Sequence, residues 1–485
     1  MKQEPSYIEA LLPILTLVGL LTMNVFFFED TLAGSNQVAL LLAATIAGII
    51  VRRNGQAWAR TMENVVSTIG SAMPAMLILL LIGSLAGTWL LSGIVPALIY
   101  YGLDIINPRV FLITAVVVSA IVSLATGSSW STIATIGVAL LGIGKAIGIN
   151  EAIVAGAIIS GAYFGDKISP LSDTTNLAPA MAGTDLFTHI RYMLYTTTPS
   201  FIITLLIFLV IGLSYNFSEA VVDVANVKSA IDGAFNTSPW LFLVPLILFV
   251  IIIKKVPPIP SLMIGTLLGG VCAVLFQPHM VSEIAGNVPN YAEASYIGFM
   301  QAMFGDIIIV TPDADVNELL HTSGMAGMLD TIWLILSAMV FGGIMESGGL
   351  LTRLTQPIIN WADSTGSLVA STVVTCIFFN TTASDQYISI VVPGRMFRKS
   401  YQDKRLKPEV LSRTLEDSGT MTSVLIPWNT CGATQSRVLG VGTFDYLPYA
   451  FFNLISPLMS ILFAYLNLKI RRYELDEIPV EERIN

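Results

Sequence analysis

Two stretches of the chain place carboxylates, hydroxyls and prolines within apolar surroundings. They read GDKISPLSDTTNLAP at 165–179 and EDSGTMTSVLIPWNT at 416–430. Proline removes a backbone donor and interrupts a helix, so each stretch predicts a discontinuous helix with freed carbonyl oxygens. Carboxylate, hydroxyl, amide and carbonyl oxygens together suit a hard cation such as Na+ or Li+. The two stretches therefore predict an ion site.

Two further stretches, 110–147 and 366–398, are apolar at both ends and broken in the middle by TGSS at 126–129 and NTTAS at 380–384. Such a break predicts a re-entrant helical hairpin. The candidate ion- and proton-binding residues of all four stretches are Asp166, Asp173, Asp417, Thr126, Ser128, Thr175, Asn176, Asn380, Thr381, Asn429 and Thr430. Candidates for a substrate-binding or structural role are Lys167, Asp385 and Arg437.

Several of these charged residues also have a structural interpretation. Asp166 can neutralise the adjacent Lys167, and Asp173 can cap the helix that follows it. Glu416 lies near the end of a span, where a solvated position is as expected as a buried one. Arg437 lies inside a span and needs a partner, either a structural carboxylate or the carboxylate of a substrate, and the sequence leaves both open.

The composition fixes the class of protein that must position these residues. Of 485 residues, 54% are hydrophobic and 12% charged, whereas a soluble protein has roughly 25% charged residues. At about 20 residues per crossing, the chain has room for about ten membrane helices. Its net charge of −9 argues against nucleic-acid binding. The absence of a phosphate-binding loop argues against ATP as the energy source, and no His/Cys spacing indicates a metal cofactor.

The apolar runs predict ten spans, and the basic residues predict their orientation. Lys and Arg cluster after the second and sixth spans and before the ninth, so those loops and both termini should be cytoplasmic. The loop 278–330 holds acids but no Lys or Arg and should face outside. The three histidines should lie near interfaces, and the three cysteines should be core residues. The predicted spans are 8–28, 35–51, 65–90, 150–182, 196–214, 239–253, 258–277, 327–347, 410–440 and 446–468.

The order of elements indicates an internal duplication. Thr126 matches Thr381 at a separation of 255 residues, and Asp166 matches Asp417 at 251. With five spans per half, the second half should be inverted relative to the first. We therefore expect an all-α polytopic membrane protein with two inverted repeats, each of five transmembrane helices and one hairpin. The expected boundaries are 1–215 for the first repeat, 216–238 for an extracytoplasmic linker and 239–485 for the second repeat.

The four broken stretches resemble the NhaC family of sodium/proton antiporters, within the larger group of ion transporters built from inverted repeats with paired hairpins. The similar segments are TGSSWSTIATIG (126–137), GAYFGDKISPLSDTTNLAP (161–179), NTTASDQYISIVVPGRMF (380–397) and RTLEDSGTMTSVLIPWNTCGA (413–433). The resemblance covers nearly the whole chain, with 278–330 its least distinctive part. It implies a prokaryotic antiporter of the cytoplasmic membrane. The family includes members that exchange sodium and lactate for malate and protons.

These observations predict exchange of Na+ for H+ by alternating access. The alternative within transporters is Na+- and H+-coupled exchange of a small carboxylate. An ion channel or an intramembrane enzyme is less consistent with titratable acids in two unwound helices and no recognisable nucleophile. The lipid bilayer, Na+ and H+ are the expected partners. A homodimer is compatible with such a carrier, but no stripe in the sequence establishes one.

Overall fold

The computed structural model describes residues 4–28, 34–105, 107–215, 224–254, 256–286, 288–311, 317, 320–360 and 363–473. Within these ranges nine helices are long and apolar enough to cross a membrane, or up to eleven if each of two bent helix pairs is one span. The bent pairs turn by 91° at 234–239 and by 58° at 449–451. The protein is therefore a mainly helical, multi-pass membrane protein, and the expected ten spans fall within this range.

The first part of the chain contains three long helices, a shorter helix, a hairpin, a discontinuous helix and one further long helix. Their bounds are α1 (Tyr7–Phe27), α2 (Ser35–Arg53), α3 (Trp58–Leu91), α4 (Ile94–Ile105), α5 (Phe111–Thr126), α6 (Ser129–Ala146), α7 (Glu151–Ile168), α8 (Asp173–Ala182) and α9 (Leu186–Ser214). Helix α6 contains one π-helical turn, Ile133–Gly137.

The second part has the same kinds of element, with an added segment that includes a two-residue β-ribbon. Its elements are α10 (Val224–Ala234), α11 (Leu243–Ile253), α12 (Pro258–Phe276), α13 (Pro278–Ile284), α14 (Tyr291–Phe304), β1 (Ile307–Ile308), β2 (His321–Thr322), α15 (Leu329–Ser347), α16 (Leu350–Asn360), α17 (Thr365–Thr382), α18 (Ile388–Asp403), α19 (Pro408–Leu415), α20 (Thr430–Leu439), α21 (Thr443–Tyr446) and α22 (Phe451–Tyr465). A second π-helical turn, Glu416–Thr420, follows α19. Strands β1 and β2 pair antiparallel.

Both predicted hairpins break where the backbone must adopt a left-handed conformation. Gly127 has φ +69° between α5 and α6, and glycine adopts this conformation without steric cost. Ser384 has φ 59° between α17 and α18, although it carries a side chain. Ser128 then caps α6, because its Oγ accepts the amide of Ser131 at 3.2 Å. The sequence prediction of two broken apolar stretches is confirmed at both places.

Close backbone packing places the first discontinuous helix against the first hairpin. Gly161 and Gly165 of α7 face the backbone of α5, where a Cβ at either glycine would collide with the carbonyl oxygen of Val116 or Ala120. Small residues four positions apart allow two helices to approach in this way. The packing fixes Asp166, the residue after Gly165, beside the beginning of α6.

Several sequence expectations need correction or fall outside the described residues. His189 is fully buried within the protein, and its Nδ1 lies 2.8 Å from Ser412 Oγ. The span predicted at 196–214 begins ten residues earlier, at Leu186. Cys376 and Cys431 are buried and Cys272 is partly buried, all as free thiols. Much of the predicted linker 216–238 and of the acidic loop 278–330 is described, but 216–223, 287, 312–316 and 318–319 lie outside the described residues.

Candidate functional site

The two hairpin tips and the two broken helices meet at one cavity of about 610 Å³. The cavity also reaches Val256, Pro257 and Pro258 at the beginning of α12. Of the residues predicted from the sequence, it brings together Thr126, Ser128, Asp166, Asp173, Asp385 and Thr430. We call this space the central cavity.

Asp166 lies at the last turn of α7 and caps the neighbouring hairpin arm. Its Oδ2 accepts the backbone amide of Ser129 at 3.1 Å and the Ser129 hydroxyl at 2.7 Å. The side chain is 7% exposed. Ser129 is the first residue of α6, so the carboxylate faces the positive end of a helix dipole. Lys167 does not neutralise Asp166, because the lysine points to another carboxylate.

Asp385 makes a similar contact at the second hairpin, although it belongs to that hairpin's own tip, whereas Asp166 comes from α7. Asp385 Oδ1 accepts the amide of Ile388, the first residue of α18, at 2.9 Å. The side chain is buried and lines the central cavity. Each hairpin therefore has a buried carboxylate at the beginning of its second arm, and both carboxylates line the same space. The sequence analysis gave Asp385 only a substrate-binding or structural role, and its position makes it an equal candidate for the ion site.

Asp173 is the first residue of α8, but it does not serve as the helix cap. Ser172 does so by accepting the amide of Thr175 at 3.5 Å, and Asp173 remains exposed to the central cavity. The predicted capping role is therefore wrong, and the Asp173 carboxylate remains available to a ligand.

Asp417 does not line the central cavity. It is fully buried and forms an ion pair with Lys167, which is also fully buried. Lys167 Nζ also donates to Ser456 Oγ at 2.7 Å, and Asp417 Oδ2 accepts the hydroxyls of Thr196 at 2.9 Å and Ser460 at 2.8 Å. The predicted ion ligand Asp417 thus has a charged partner from the other discontinuous helix, and this pair links the two parts of the fold.

The two asparagines of the second hairpin and second broken helix hold these elements together. Asn429 Nδ2 donates to Asn380 O at 3.0 Å and to Asn380 Oδ1 at 3.1 Å, and Asn380 Nδ2 donates to Gly419 O at 2.8 Å. Both residues are fully buried. Thr381 lies beside them, where its carbonyl accepts the indole of Trp428 at 2.7 Å. These side chains position the break, while Thr430 faces the central cavity.

Thr175 and Asn176 make corresponding contacts at the first break. The Thr175 hydroxyl donates to Lys167 O at 2.9 Å, and Asn176 Nδ2 donates to Ser172 O at 2.7 Å and Pro170 O at 3.0 Å. Both side chains therefore satisfy carbonyls that the proline-induced break leaves free.

Two fully buried charged residues differ from the sequence expectations: a solvated position was left open for Glu416, and Arg413 was not singled out. Glu416 is fully buried; its Oε1 accepts the Thr174 hydroxyl at 3.1 Å, and its Oε2 has no hydrogen-bond partner within the described ranges. Arg413 is also fully buried, and its guanidinium lies 4.6 Å from the Tyr192 ring centroid. The only sequence signal was their position beside Asp417. Ser129, the partner of Asp166, lies in the TGSS motif but was not singled out.

Arg437 lies in a second cavity, of about 600 Å³; we call it the outer cavity because it includes His321 of the loop 278–330, which the charge pattern predicts to face outside. Lys145 also lines it and is paired with Glu151 at 2.7 Å, and His321 lies at its wall. Among the described residues, no group of three His, Cys, Asp or Glu side chains could hold a metal ion. A cation in the central cavity would therefore depend on hydroxyl and carbonyl oxygens together with one or two carboxylates.

Comparison with known proteins identifies the family of the chain. A family model described as "Na+/H+ antiporter family" matches residues 161–468, which include the breaks of both discontinuous helices and the second hairpin. The chain belongs to the Na+/H+ antiporter family. The resemblance to NhaC proteins predicted from the four broken stretches is confirmed. The Na(+)/H(+) antiporter NhaC of Alkalihalophilus pseudofirmus is 37% identical over 94% of this chain and 96% of that protein.

Two further relatives of the chain are named for organic substrates. The malate-2H(+)/Na(+)-lactate antiporter of Bacillus subtilis is 34% identical over 94% of each protein. The arginine/ornithine antiporter ArcD of Halobacterium salinarum is 33% identical over 99% of this chain and 96% of that protein. Membership of the family thus identifies the protein as a transporter, and the substrate has to be inferred from the site.

Proposed function

We propose that the protein exchanges Na+, or Li+, for H+ across the cytoplasmic membrane, with the central cavity as the transport site. The observation that carries this proposal is that Asp166 and Asp385, from different halves of the chain, line one cavity at the beginnings of two hairpin arms. Thr126, Ser128 and Thr430 supply neutral oxygens to the same space. This set of oxygens suits a hard monovalent cation and can also accept protons.

Coupling follows from competition for the same carboxylate oxygens. An oxygen that carries a proton cannot also ligate Na+ well, so the site binds either H+ or Na+. Asp166 and Asp385 would carry out this exchange, with Asp173 as a third carboxylate in contact with the cavity. The Lys167–Asp417 pair would then position the two broken helices instead of binding transported ions.

An inverted repeat provides the means of alternating access. We assign residues 1–215 and 239–485 to the two repeats and 216–238 to the linker, with both termini cytoplasmic. Two reciprocal contacts between the halves support this assignment. Helix α8 of the first half packs on α18 of the second, and α20 of the second half packs on α6 of the first. Such pairing is expected when two similar halves are related by a pseudo-two-fold axis. Movement of the hairpins relative to the remaining helices would expose the cavity to each side in turn.

The direct test is exchange by the purified protein in liposomes that contain a trapped pH dye. A Na+ gradient without any organic acid should change the lumenal pH, whereas a K+ gradient should not. A clamp on the membrane potential will show whether the exchange moves net charge. Absence of a Na+-dependent pH change under all potentials would contradict simple Na+/H+ exchange.

A second candidate function is coupled exchange of a small carboxylate, and the outer cavity favours it. Arg437 lines this cavity and makes no hydrogen bond or ion pair with the other described residues. An unpaired guanidinium suits a carboxylate, which it can bind with two parallel hydrogen bonds. If malate or lactate is required for the pH change, Arg437→Gln should abolish the pH change that malate or lactate produces. If Na+ alone suffices, Arg437→Gln should leave exchange nearly unchanged.

A further inference from the structure

One face of α6 extends from the central cavity to the outer cavity. Side chains three and four positions apart lie on the same side of a helix, and Ser131, Thr135, Val138, Gly142 and Lys145 follow this spacing. Ser131 lines the central cavity, and the other four line the outer cavity. We call these five residues the connecting face.

Thr135 lies where the two cavities approach each other. A third, smaller cavity of about 420 Å³ shares Thr126 with the central cavity and shares Thr135 and Trp89 with the outer cavity. Its other lining residues are apolar. An ion that has lost its water is unfavourable in an apolar space, so Thr126 and Thr135 are the polar side chains of this third cavity that could contact one.

The backbone around Thr135 departs from a regular α-helix, and several oxygens lie close to this residue. Thr135 lies in the π-helical turn Ile133–Gly137, and single π-turns are frequent at functional sites. Its hydroxyl donates to Ser131 O at 2.7 Å and to Thr132 O at 3.3 Å. The Thr132 hydroxyl lies 3.3 Å from that of Thr126 at the hairpin tip. A series of hydroxyl and carbonyl oxygens thus leads from the tip to Thr135.

We propose that the connecting face of α6 lines the route between the central and outer cavities, and that Thr135 is a transient cation site on this route. The inference rests on the proposed Na+ exchange and extends it by assigning the path and a specificity-determining residue outside the central cavity. The cation class is monovalent and hard, since the available ligands are hydroxyl and carbonyl oxygens.

The first experiment compares three substitutions in the liposome assay. Thr135→Val removes the hydroxyl at constant shape, and Thr135→Ser retains it. Thr22→Val is the matched control, because Thr22 is exposed on α1 and its hydroxyl makes the same bond to the carbonyl four residues earlier, at 2.7 Å. We expect Thr135→Val to raise the Na+ concentration for half-maximal exchange from the outer-cavity side about tenfold, with Thr135→Ser and Thr22→Val near wild type.

The second experiment tests the path without depending on ion affinity. Val138 is partly exposed on the connecting face, whereas the adjacent Ala139 is 4% exposed and lies on another face of α6. A positively charged, membrane-impermeant thiol reagent added from the side opposite the termini should modify Val138→Cys and block exchange. Ala139→Cys should react no more than the wild-type chain, which has three native cysteines.

The outcomes separate this inference from the proposed function. Wild-type protein that exchanges Na+ for H+ establishes the function independently of Thr135. With that exchange present, an unchanged Na+ dependence in Thr135→Val, or equal reaction of the cysteines at 138 and 139, would overturn the route. Reaction of Val138→Cys only from the cytoplasmic side would overturn its outward assignment.

Discussion

The carboxylate of Asp166 accepts both the amide and the hydroxyl of Ser129, at 3.1 Å and 2.7 Å. An acid of a broken helix thereby caps the second arm of the first helical hairpin. Hydrogen bonds to an ionised carboxylate are stronger than those to a neutral one. If Asp166 binds a proton or cation as proposed, that binding should change the position of the hairpin tip and so link ion binding to movement.

The first prediction concerns the charge of Asp166. Asp166→Asn retains an oxygen that can accept from Ser129, so the protein should fold normally. The amide cannot exchange a proton, and Na+-dependent lumenal pH change should fall to the level of empty liposomes. Asp445→Asn is the matched control, because Asp445 is an exposed acid at the beginning of α21. Exchange at the wild-type rate in Asp166→Asn would remove this residue from the mechanism.

The second prediction concerns Asp385, which has both a structural and a proposed transport role. Asp385→Asn can still cap α18 through Ile388, so it should lose exchange without losing stability. Asp385→Ala should lose exchange and also about 0.5–2 kcal/mol of stability, as expected for removal of a helix cap. Thermal unfolding in detergent together with the liposome assay separates the two effects. Equal stability of both variants would argue against the cap.

The third prediction concerns the buried pair of Lys167 and Asp417. Asp417→Asn leaves a buried lysine without a counter-charge, and removal of one partner of a buried pair costs about 3–5 kcal/mol. The double variant Lys167→Met/Asp417→Asn should recover part of this loss, because neither charge remains buried alone. Unfolding free energies of the single and double variants will measure the coupling. Wild-type stability in Asp417→Asn would show that the pair has no structural role.

The breaks in the helices were predictable, because proline, glycine and clustered hydroxyls act locally on the backbone. The four broken stretches and their approach to one site follow from these residues and from the repeated order of elements. The partner of Lys167 was not predictable in the same way. Asp417 lies 250 positions away in the chain, and only the packing of the first broken helix on the second, through α8 and α19, brings the two together.

The other errors concern which way a side chain faces around its helix. Asp173 and Ser172 are adjacent, and either could cap α8 according to the sequence, but only the backbone geometry selects Ser172. Glu416 and Asp417 differ by one position, yet one contacts Thr174 and the other Lys167. A sequence pattern locates such residues to within a turn, whereas their partners depend on rotations of about 100° per residue.

The last prediction concerns the two hairpin tips, which reach a left-handed conformation with different residues. A Cβ at Gly127 would lie 2.7 Å from the carbonyl carbon of Leu171, in the break between α7 and α8. Gly127→Ala should therefore displace the tip from that break and add about 1–2 kcal/mol of backbone strain. We expect a lower melting temperature and a loss of Na+-dependent exchange.

Ser384→Gly is the complementary variant, since Ser384 has φ 59° and its buried hydroxyl has no hydrogen-bond partner among the described residues. Glycine relieves the strain without removing a hydrogen bond of the side chain, although it also increases the freedom of the unfolded chain. Ser384→Gly should thus melt within a few degrees of wild type and retain exchange. If Gly127→Ala behaved like Ser384→Gly, close contact between the first tip and the Leu171 break would not be needed for transport.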